Sequence, residues 1–420
     1  HRDHHQTRHQ HAKSVHVKYC MTPSTSNQER LYTPAFAVMF LGQIGFVMSN
    51  AVIAHYGRFI KHLGGSVDTV GQITAGGMVA SLVLRPWIGQ LINFLGTKNT
   101  LAIGYVVFAS GTAGNLLIDD LHWTIYLFRG GLALGAAFVF SSMLTYATLI
   151  APDSRRAEAI GSLGVAGFIG LMVGPALWDL VLGTGPYTDG VFDRMFMTVM
   201  GCLALPALLI LILPVPEREE RSGPSGLLTF FAIARKNWPG TVIAVNAGFG
   251  MCMTIPLTFF TRWIDDKGIQ LEGVSFVTLF FLIYAGWGMS LRILTRQLPD
   301  RIGRRKVLLA GVVSMFFGML TYTLVTADNP YLIVIPAFLC GSGHALIYHS
   351  MTSIILSEFA PSERGSGTAL ATMTFDGGHI LMSWILGIIA KQVSYDAMFL
   401  TVAGVLAAVS VLYFGRNGIR

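Results

Sequence analysis

The sequence predicts an all-α membrane protein in which twelve transmembrane helices form two pseudo-symmetric six-helix bundles. Of its 420 residues, 53% are hydrophobic and only 12% are charged, about half the roughly 25% charge of a soluble domain. A water-soluble surface needs far more charged side chains, so many apolar residues must face lipid. Apolar runs of helical length recur along the chain, and one segment of the first half repeats in the second.

Residues 1–30 differ in composition from the rest of the chain and are predicted to form a disordered, His-rich tail. Half of the twelve histidines fall there, without any apolar run, which excludes a signal peptide. Two other interpretations stay open, a metal-binding tail and translated sequence upstream of a true start at Met21.

Several function classes are excluded by missing patterns. The net charge is +7, but no basic run with interleaved aromatics indicates nucleic-acid binding. The four cysteines, without CxxC spacing, indicate neither a disulfide framework nor a zinc ribbon. No GxxxxGK[ST], HExxH or GxSxG motif is present, which argues against ATP hydrolysis by this chain and against an intramembrane enzyme. We expect no cofactor and no bound metal.

Twelve apolar runs have the length of a membrane-crossing helix, about 20 residues for a hydrocarbon core of about 30 Å. A polar gap beginning at Pro214 divides them six and six, as a loop between domains would. The sequence therefore predicts a first bundle over 31–214, a cytoplasmic linker over 215–239 and a second bundle over 240–420. The predicted spans are 34–58, 70–92, 100–118, 123–150, 158–182, 194–214, 240–263, 274–298, 305–326, 330–358, 366–390 and 395–414.

Basic residues predict the orientation, because positively charged loops stay in the cytoplasm. With the N-terminus inside, the inner loops are richer in Lys and Arg than the outer loops, and both termini are cytoplasmic. Arg85 and Arg292 lie near predicted span ends and are not counted with the inner loops. The basic residues assigned to the outer side are Arg58, Lys61, Arg194, Arg262, Lys267 and Lys391.

An internal repeat relates the two halves. Residues 81–101 align without gaps on 288–308, an offset of 207 residues, and both copies fall at the turn after the second span of a half. A parallel duplication of a six-helix unit explains this placement. The identical pairs are Leu84 and Leu291, Arg85 and Arg292, Gln90 and Gln297, Leu91 and Leu298, Gly96 and Gly303, and Leu101 and Leu308.

The repeated loops resemble the signature G-x-L-x-D-R-x-G-R-[RK] of the major facilitator superfamily. The second copy matches it closely from Arg296 to Lys306, whereas the first has Asn93 and Phe94 in place of its Asp and Arg. The resemblance implies the superfamily's fold and a gating role for both loops, and the Asn93 substitution removes a charge from the first. The residues to which it assigns gating are Gly89, Asn93, Gly96, Asp300, Arg301, Gly303 and Arg304.

Two further stretches are similar to motifs of the same superfamily. Arg129 and Gly135 in span 4 match two positions of R-x-x-Q-G-x-G-A-A. In span 5, Gly161, Gly170, Gly174 and Pro175 are similar to the motif of the antiporter branch, but Trp178-Asp179 replaces its closing Gly-Gly. The resemblance implies a transporter, with a modest preference for the antiporter branch. The span 5 glycines permit close helix packing, and static packing and a moving hinge stay open as their role.

Ionisable residues within the spans are candidates for function because a charge costs several kcal/mol in hydrocarbon. Arg129 lies about six residues inside span 4, roughly 9 Å by helical rise. Asp376 and His379 share a face of span 11, and His344 lies in span 10. We expect these groups to line a polar cavity in which Asp376 gains and loses a proton. A structural hydrogen-bond cluster is the alternative.

Other polar residues lie at suitable depth to join this cavity, and spans 1, 4, 7 and 10 line it in the resembling family. Each of them can instead form an ordinary helix–helix hydrogen bond. A metal site built from His344, His349, Asp376 and His379 is conceivable by ligand type, but its spacing is not diagnostic. The additional candidates are Gln43, Asn50, Asn246, Tyr284, Tyr348 and His349.

The sequence thus predicts a secondary active transporter that moves a small solute by alternating access. We expect a monomer in the plasma (inner) membrane that couples to protons and works as an exporter. Its partners are then a small-molecule substrate, protons and the lipid bilayer, with no nucleic acid. Two alternatives stay open, a transport-inactive sensor on the same scaffold and a proton symporter that imports a small metabolite.

Overall fold

A computed structural model describes residues 30–152, 155–183, 187–216, 227–271, 275–360 and 363–418. The predicted tail over 1–30 lies outside these residues except for Arg30. Within the described ranges the regular secondary structure is helical throughout, without a strand.

Twelve long helices, α1 to α12, follow one another in the order that the apolar runs predict. The first six are α1 (Pro34–His62), α2 (Val67–Leu95), α3 (Thr97–Asn115), α4 (Thr124–Ile150), α5 (Arg156–Leu182) and α6 (Asp189–Ile212). The second six are α7 (Val242–Lys267), α8 (Phe276–Leu294), α9 (Arg304–Leu324), α10 (Pro330–Ser357), α11 (Arg364–Gln392) and α12 (Tyr395–Asn417).

Eleven described helices are long and apolar enough to cross a membrane. The exception is α3, whose sequence contains Lys98, two asparagines and several threonines and glycines. Two of its buried polar side chains bond within the helix, since Thr112 donates to the Phe108 carbonyl at 2.9 Å and Asn115 to the Gly111 carbonyl at 2.7 Å. Its place in the order and its packing against α4 and α6 make it the third helix of the first bundle.

The two halves repeat the same packing scheme. In the first half α1 contacts α5 and α6, and α4 contacts α2 and α3. In the second half α7 contacts α11 and α12, and α10 contacts α8 and α9. The prediction of two related six-helix bundles is therefore confirmed.

The halves meet along two equivalent seams, α2 against α11 and α5 against α8. At Gly71 of α2, an added Cβ atom would lie only 2.0 Å from the backbone oxygen of Ser383 in α11. A glycine is needed here because the two helix backbones approach too closely for any side chain.

The helical path is irregular at matching places in α1 and α7. A turn of 3-10 helix interrupts α1 at Ile53–His55, and a π-helical segment, Ile255–Phe259, interrupts α7 at Pro256. Proline removes one backbone hydrogen bond and widens the helix locally. Both irregularities lie shortly before the C-terminal ends of α1 and α7, which are followed by predicted outer loops. We call the helix ends on this side of the two bundles, including the start of α2 and the end of α11, the outer ends.

The observed helix bounds differ from the predicted span bounds by at most five residues. Helix α6 begins at Asp189, five residues before predicted span 6. Predicted span 8 ran to residue 298, but α8 ends at Leu294, and after a turn the short helix Leu298–Ile302 follows. Pro299 explains the break, since it lacks the N–H that would continue the ladder. Within the predicted linker lies a further helix, Leu227–Lys236, and residues 217–226 lie outside the described part.

Candidate functional site

An ion pair in the interior of the membrane-spanning region joins the two halves. Arg85 of α2 donates from Nη2 to the carboxylate of Asp376 in α11, and the side chains are only 7% and 10% exposed. The other terminal nitrogen, Nη1, donates to Ser141 Oγ at 3.2 Å and to the Ala137 carbonyl at 3.4 Å, both in α4. Asp376 is therefore a carboxylate held by a guanidinium of the opposite half, not by a histidine.

His379 lies close to Asp376 in sequence, but its ring bonds elsewhere. Its Nε2 atom is 3.1 Å from Thr258 Oγ1 in α7, and its backbone carbonyl accepts from Thr254 Oγ1 at 3.5 Å. The ring is buried between α11 and α7. His379 thus ties two helices of one half together, beside the ion pair.

His344 forms a second polar centre, lined by aromatic rings. Its Nδ1 atom is 2.6 Å from the hydroxyl of Tyr284 in α8. The His344 ring centre lies 5.0 Å from that of Phe168 in α5 and 5.3 Å from that of Phe249 in α7. Helices of both halves therefore surround this histidine.

Arg129 lies in α4 without an acidic partner among the described residues. Its guanidinium carbon is 5.1 Å from the centre of the Tyr56 ring, a cation–π distance. The Tyr56 hydroxyl in turn donates to Asn115 Oδ1 at 2.7 Å. The Nε atom of Arg129 is buried and has no hydrogen-bond partner.

The remaining polar candidates have different environments. Asn246 bonds from α7 to α11, with its Nδ2 atom 2.5 Å from both the Ala371 carbonyl and Thr374 Oγ1, which is a helix–helix contact. Gln43 is buried with its Oε1 unpartnered. Asn50 and His349 are half-buried. Tyr348, also half-buried, has its ring centre 6.3 Å from that of His344.

The candidate ligands do not converge on a metal. In the part of the chain that the structure describes, no three His, Cys, Asp or Glu side chains are grouped to hold a metal ion. The metal site considered for His344, His349, Asp376 and His379 is therefore not supported.

The outer ends of the two halves are joined by three ion pairs. Arg58 binds both carboxylate oxygens of Asp265, at 2.8 and 2.9 Å. Lys61 pairs with Asp266 at 2.7 Å, and Lys391 with Asp68 at 2.9 Å. The Arg58 guanidinium also lies 5.1 Å from the ring centre of Tyr187, in the loop before α6, and burial raises the pKa of that phenol. This network closes the outer ends.

A model of the Major Facilitator Superfamily matches residues 35–300 and 293–418. The chain belongs to this superfamily. Among similar proteins, the uncharacterized MFS-type transporter YhhS of Salmonella enteritidis is 25% identical over 83% of this chain and 84% of its own length. Multidrug resistance protein 2 of Bacillus subtilis is 24% identical over 73% of this chain and 78% of its own length.

Among solved structures, the nucleoside transporter NupG superimposes on 92% of this chain and 100% of its own, with a TM-score of 0.71 and 15% identity. At 15% identity this structural similarity shows that the two proteins share a fold and nothing more. As a member of the superfamily, this protein is an integral, multi-pass membrane transporter of a small-molecule solute and not an enzyme, and the family resemblance seen in its sequence is confirmed.

The superfamily's repeated loops have the same backbone geometry in both halves. Gly96 and Gly303 have φ values of +86° and +98°, a region that favours glycine, and each precedes the next helix. Around them Asn93 is exposed, Gly89 has open space at its Cβ position, and Arg301 donates to Gln297 at 2.9 Å. Arg304 is exposed, and the side chain of Asp300 lies outside the described part.

The antiporter-like motif of the superfamily lies along the contact between α5 and α1. Added Cβ atoms at Gly170 and Gly174 would lie 2.7 Å from Val47 Cβ and 2.6 Å from Ala51 Cβ, whereas Gly161 has open space. The first two glycines therefore permit close packing. Pro175 lies within the helix beside them.

The two residues that depart from that motif make specific contacts. The Trp178 ring stacks on the His55 ring at 4.1 Å and 8°. Asp179 accepts a hydrogen bond from Thr278 of α8 and so joins the two halves. The substitution thus places a polar contact on the α5–α8 seam of this transporter.

Sequence reasoning missed Arg85 and Arg292, which it placed near span ends. Both are buried, with 6% and 8% exposure, because α2 runs ten residues beyond Arg85 and α8 continues, after a turn, into Leu298–Ile302. Their identity in the internal repeat was the signal that could have found them.

Proposed function

We propose that this transporter works by alternating access and exports a small solute in exchange for protons, with Asp376 as the proton-coupling carboxyl. The single observation that carries the proposal is the buried ion pair between Arg85 and Asp376. It is the one interior charge pair, among the described residues, that connects opposite halves. Formation or loss of this ion pair therefore changes how strongly α2 and α11 are held together, and these helices must separate in alternating access.

Protonation of Asp376 removes the charge that Arg85 binds. Removing one partner of a buried ion pair costs about 3–5 kcal/mol, which is enough to shift a two-state equilibrium from one side to the other. Arg85 keeps its bonds to Ser141 and Ala137 in its own half. A proton thus loosens α2 from α11 without disturbing the first half.

The outer network represents one of the two states of the cycle. The ion pairs of Arg58, Lys61 and Lys391 close the outer ends, so the opposite state must break them. With both termini in the cytoplasm, as basic loop residues favour, this conformation is closed to the exterior. We place the protein in the plasma (inner) membrane as a monomer.

Polar side chains near the contacts between the halves form the proposed pathway. His344, bonded to Tyr284, lies beside Phe168 of the opposite half, and Arg129 lies against Tyr56 of its own half. His379 and Asn246 hold α11 against α7. Gln43, Asn50, Tyr348 and His349 complete the proposed lining. Export is supported by the glycine motif of α5 and by the name of the Bacillus subtilis relative, a multidrug resistance protein.

The test is flux in proteoliposomes with an imposed pH gradient, across a panel of chemically diverse solutes. We expect wild-type flux of at least one solute against an opposing proton flow, and loss of gradient dependence in Asp376→Asn. Asp119→Asn, an exposed carboxyl of an outer loop, is the matched control and keeps coupling.

The direction of flux separates the alternatives. Solute flow with the protons would identify a symporter, and absence of flux for every solute would favour a sensor. Coupled flux that persists in Asp376→Asn would remove this residue from the mechanism.

A further inference from the structure

Arg292 of α8 is a buried guanidinium without a counter-charge. It is 8% exposed, and its Nε atom is buried without a hydrogen-bond partner. Its guanidinium carbon lies 5.5 Å from the centre of the Phe168 ring and 5.4 Å from that of Tyr348. Among the described residues no carboxylate pairs with it. Aromatic faces attract a cation, but they do not replace the hydration that burial removes.

The helices packed around Arg292 offer no acid to bind it. The acids of α5 are Glu158 and Asp179, which bind Arg155 at 2.8 Å and the Thr278 hydroxyl, respectively. Helix α10 contains no Asp or Glu at all. From these helices the Tyr348 ring lies against the Arg292 guanidinium, and the His344 ring, bonded to the Tyr284 hydroxyl, lies 6.3 Å from the Tyr348 ring.

The internal repeat shows what is missing at this position. Arg292 is the counterpart of Arg85, and both lie on the seam between halves, α8–α5 for one and α2–α11 for the other. Arg85 has Asp376 as its carboxylate. The middle of α5, from Gly164 to Pro175, contains only apolar residues and glycine or proline. The second seam therefore has the cation of the first without its anion.

The surroundings of Arg292 are fitted to this side chain. An added Cβ atom at Gly164 would lie only 1.7 Å from Arg292 Nη1, so glycine leaves the room that the guanidinium fills. Arg85 has Asp376 as its counter-charge, whereas Arg129 and Arg292 have no carboxylate partner among the described residues. Two unpaired guanidinium groups give their surroundings an excess positive charge, which attracts an anionic solute.

We propose that Arg292 binds the carboxylate of an organic anion and that this anion is the transported solute. A guanidinium binds a carboxylate through two parallel hydrogen bonds. One bound carboxylate would neutralise the charge of Arg292, as Asp376 neutralises that of Arg85. The rings of Phe168, Tyr348 and His344 are positioned to contact the apolar part of the ligand. The proposal rests on the proposed function only in naming the bound anion as cargo.

The test is thermal stabilisation of the purified full-length protein by probe anions, without any gradient. The probes are benzoate, phenylacetate and hexanoate, each compared with its neutral amide, together with inorganic phosphate and chloride. We expect at least one carboxylate, but not its amide, to raise the Tm of wild type. In Arg292→Met the affinity should fall about tenfold to a hundredfold, the range for hydrogen bonds to a charged group. Arg416→Gln, exposed at the end of α12, is the control and responds as wild type does.

The unliganded Tm of Arg292→Met distinguishes ligand binding from a structural role. Because an unpaired buried charge is removed, this variant should be as stable as wild type or more stable. A second variant, Tyr348→Glu, places a carboxylate beside the guanidinium and should abolish the response to anions while the protein stays folded.

Three results would overturn the proposal. These are a marked loss of unliganded stability in Arg292→Met, stabilisation of wild type by phosphate or chloride alone, and a panel in which no carboxylate distinguishes wild type from Arg292→Met. None of them bears on proton coupling, which the flux experiment tests. Conversely, carboxylate binding that persists in a protein without coupled flux would refute only the proposed transport mechanism.

Discussion

At the residue scale, the interior charges of this transporter are unequally compensated. Arg85 and Asp376 pair with one another across the seam, whereas Arg129 and Arg292 lie against aromatic rings and have no carboxylate partner in the part of the chain that the structure describes. A charge in this environment is costly unless a partner or water compensates it. The paired residues therefore suit a switch between states, and the unpaired ones suit contact with cargo.

The coupling between Arg85 and Asp376 is measurable as a double-mutant cycle. Arg85→Met and Asp376→Leu should each lower the free energy of unfolding by about 3–5 kcal/mol, because each leaves a buried charge unpaired. The double variant should lose less than the sum of the two, since it leaves neither charge. Denaturation of the purified variants provides the measurement.

The pair of Lys61 and Asp266 is the matched control for this cycle. Its side chains are 41% and 25% exposed, so its coupling energy should stay at or below about 1 kcal/mol. Additive losses at Arg85 and Asp376 would show that the ion pair has no energetic role.

Sequence reasoning reached only part of this residue-level arrangement. Hydropathy was sufficient to single out Arg129, His344 and Asp376, because each interrupts an apolar run. The partner of Asp376 lies 291 residues away, and helical periodicity carries no information about which distant helix faces it. The same limit applies to His379, whose ring turns to Thr258 of α7 instead of Asp376.

At the element scale, close helix contacts are made by glycine at the seams. Gly71 meets the backbone of Ser383 in α11, and Gly288 of α8 lies where an added Cβ atom would be 3.0 Å from the Phe168 ring. Side-chain hydrogen bonds add to these contacts, from Arg85 to Asp376 on the α2–α11 seam and from Thr278 to Asp179 on the α5–α8 seam. Separation of the α2–α11 seam therefore requires that its ion pair be broken.

Substitution of Gly71 tests the seam directly. Gly71→Ala places a methyl group against backbone atoms that cannot rotate away, so we expect destabilisation of about 1–3 kcal/mol. Gly404→Ala in α12, where open space surrounds the position, should leave stability unchanged or slightly higher. The measurement is the Tm of both variants in thermal unfolding. Equal Tm values for Gly71→Ala and Gly404→Ala would contradict the close backbone contact at Gly71.

The helices themselves were largely predictable, and their departures have local causes. Apolar runs bounded by Gly and Pro gave the order of twelve helices. The break after Leu294 follows from Pro299. Helix α6 begins earlier than predicted because its first turns contain charged residues, and hydropathy cannot distinguish a charged helix end from a loop. The helix over Leu227–Lys236 is short and amphipathic, so it lacks the apolar run of a span.

At the scale of the whole molecule, two bundles with the same packing meet along two seams and are closed at their outer ends. The internal repeat predicted the duplication, and the repeated helix contacts confirm it. The outer ion pairs were not predictable from the sequence, because nothing in it distinguishes Arg58 and Lys61 from ordinary charged residues of a loop. Only the fold brings them against Asp265 and Asp266.

The measurement that tests the central claim most directly is the distance between the outer ends of the two halves. Spin labels at Asp119→Cys and Asp328→Cys, both exposed, report it by pulsed electron resonance once the native cysteines are replaced. We predict one short distance population at neutral pH, and a shift to longer distances in Asp376→Asn or on acidification of wild type. Identical distance distributions in wild type and Asp376→Asn at every pH would contradict the account.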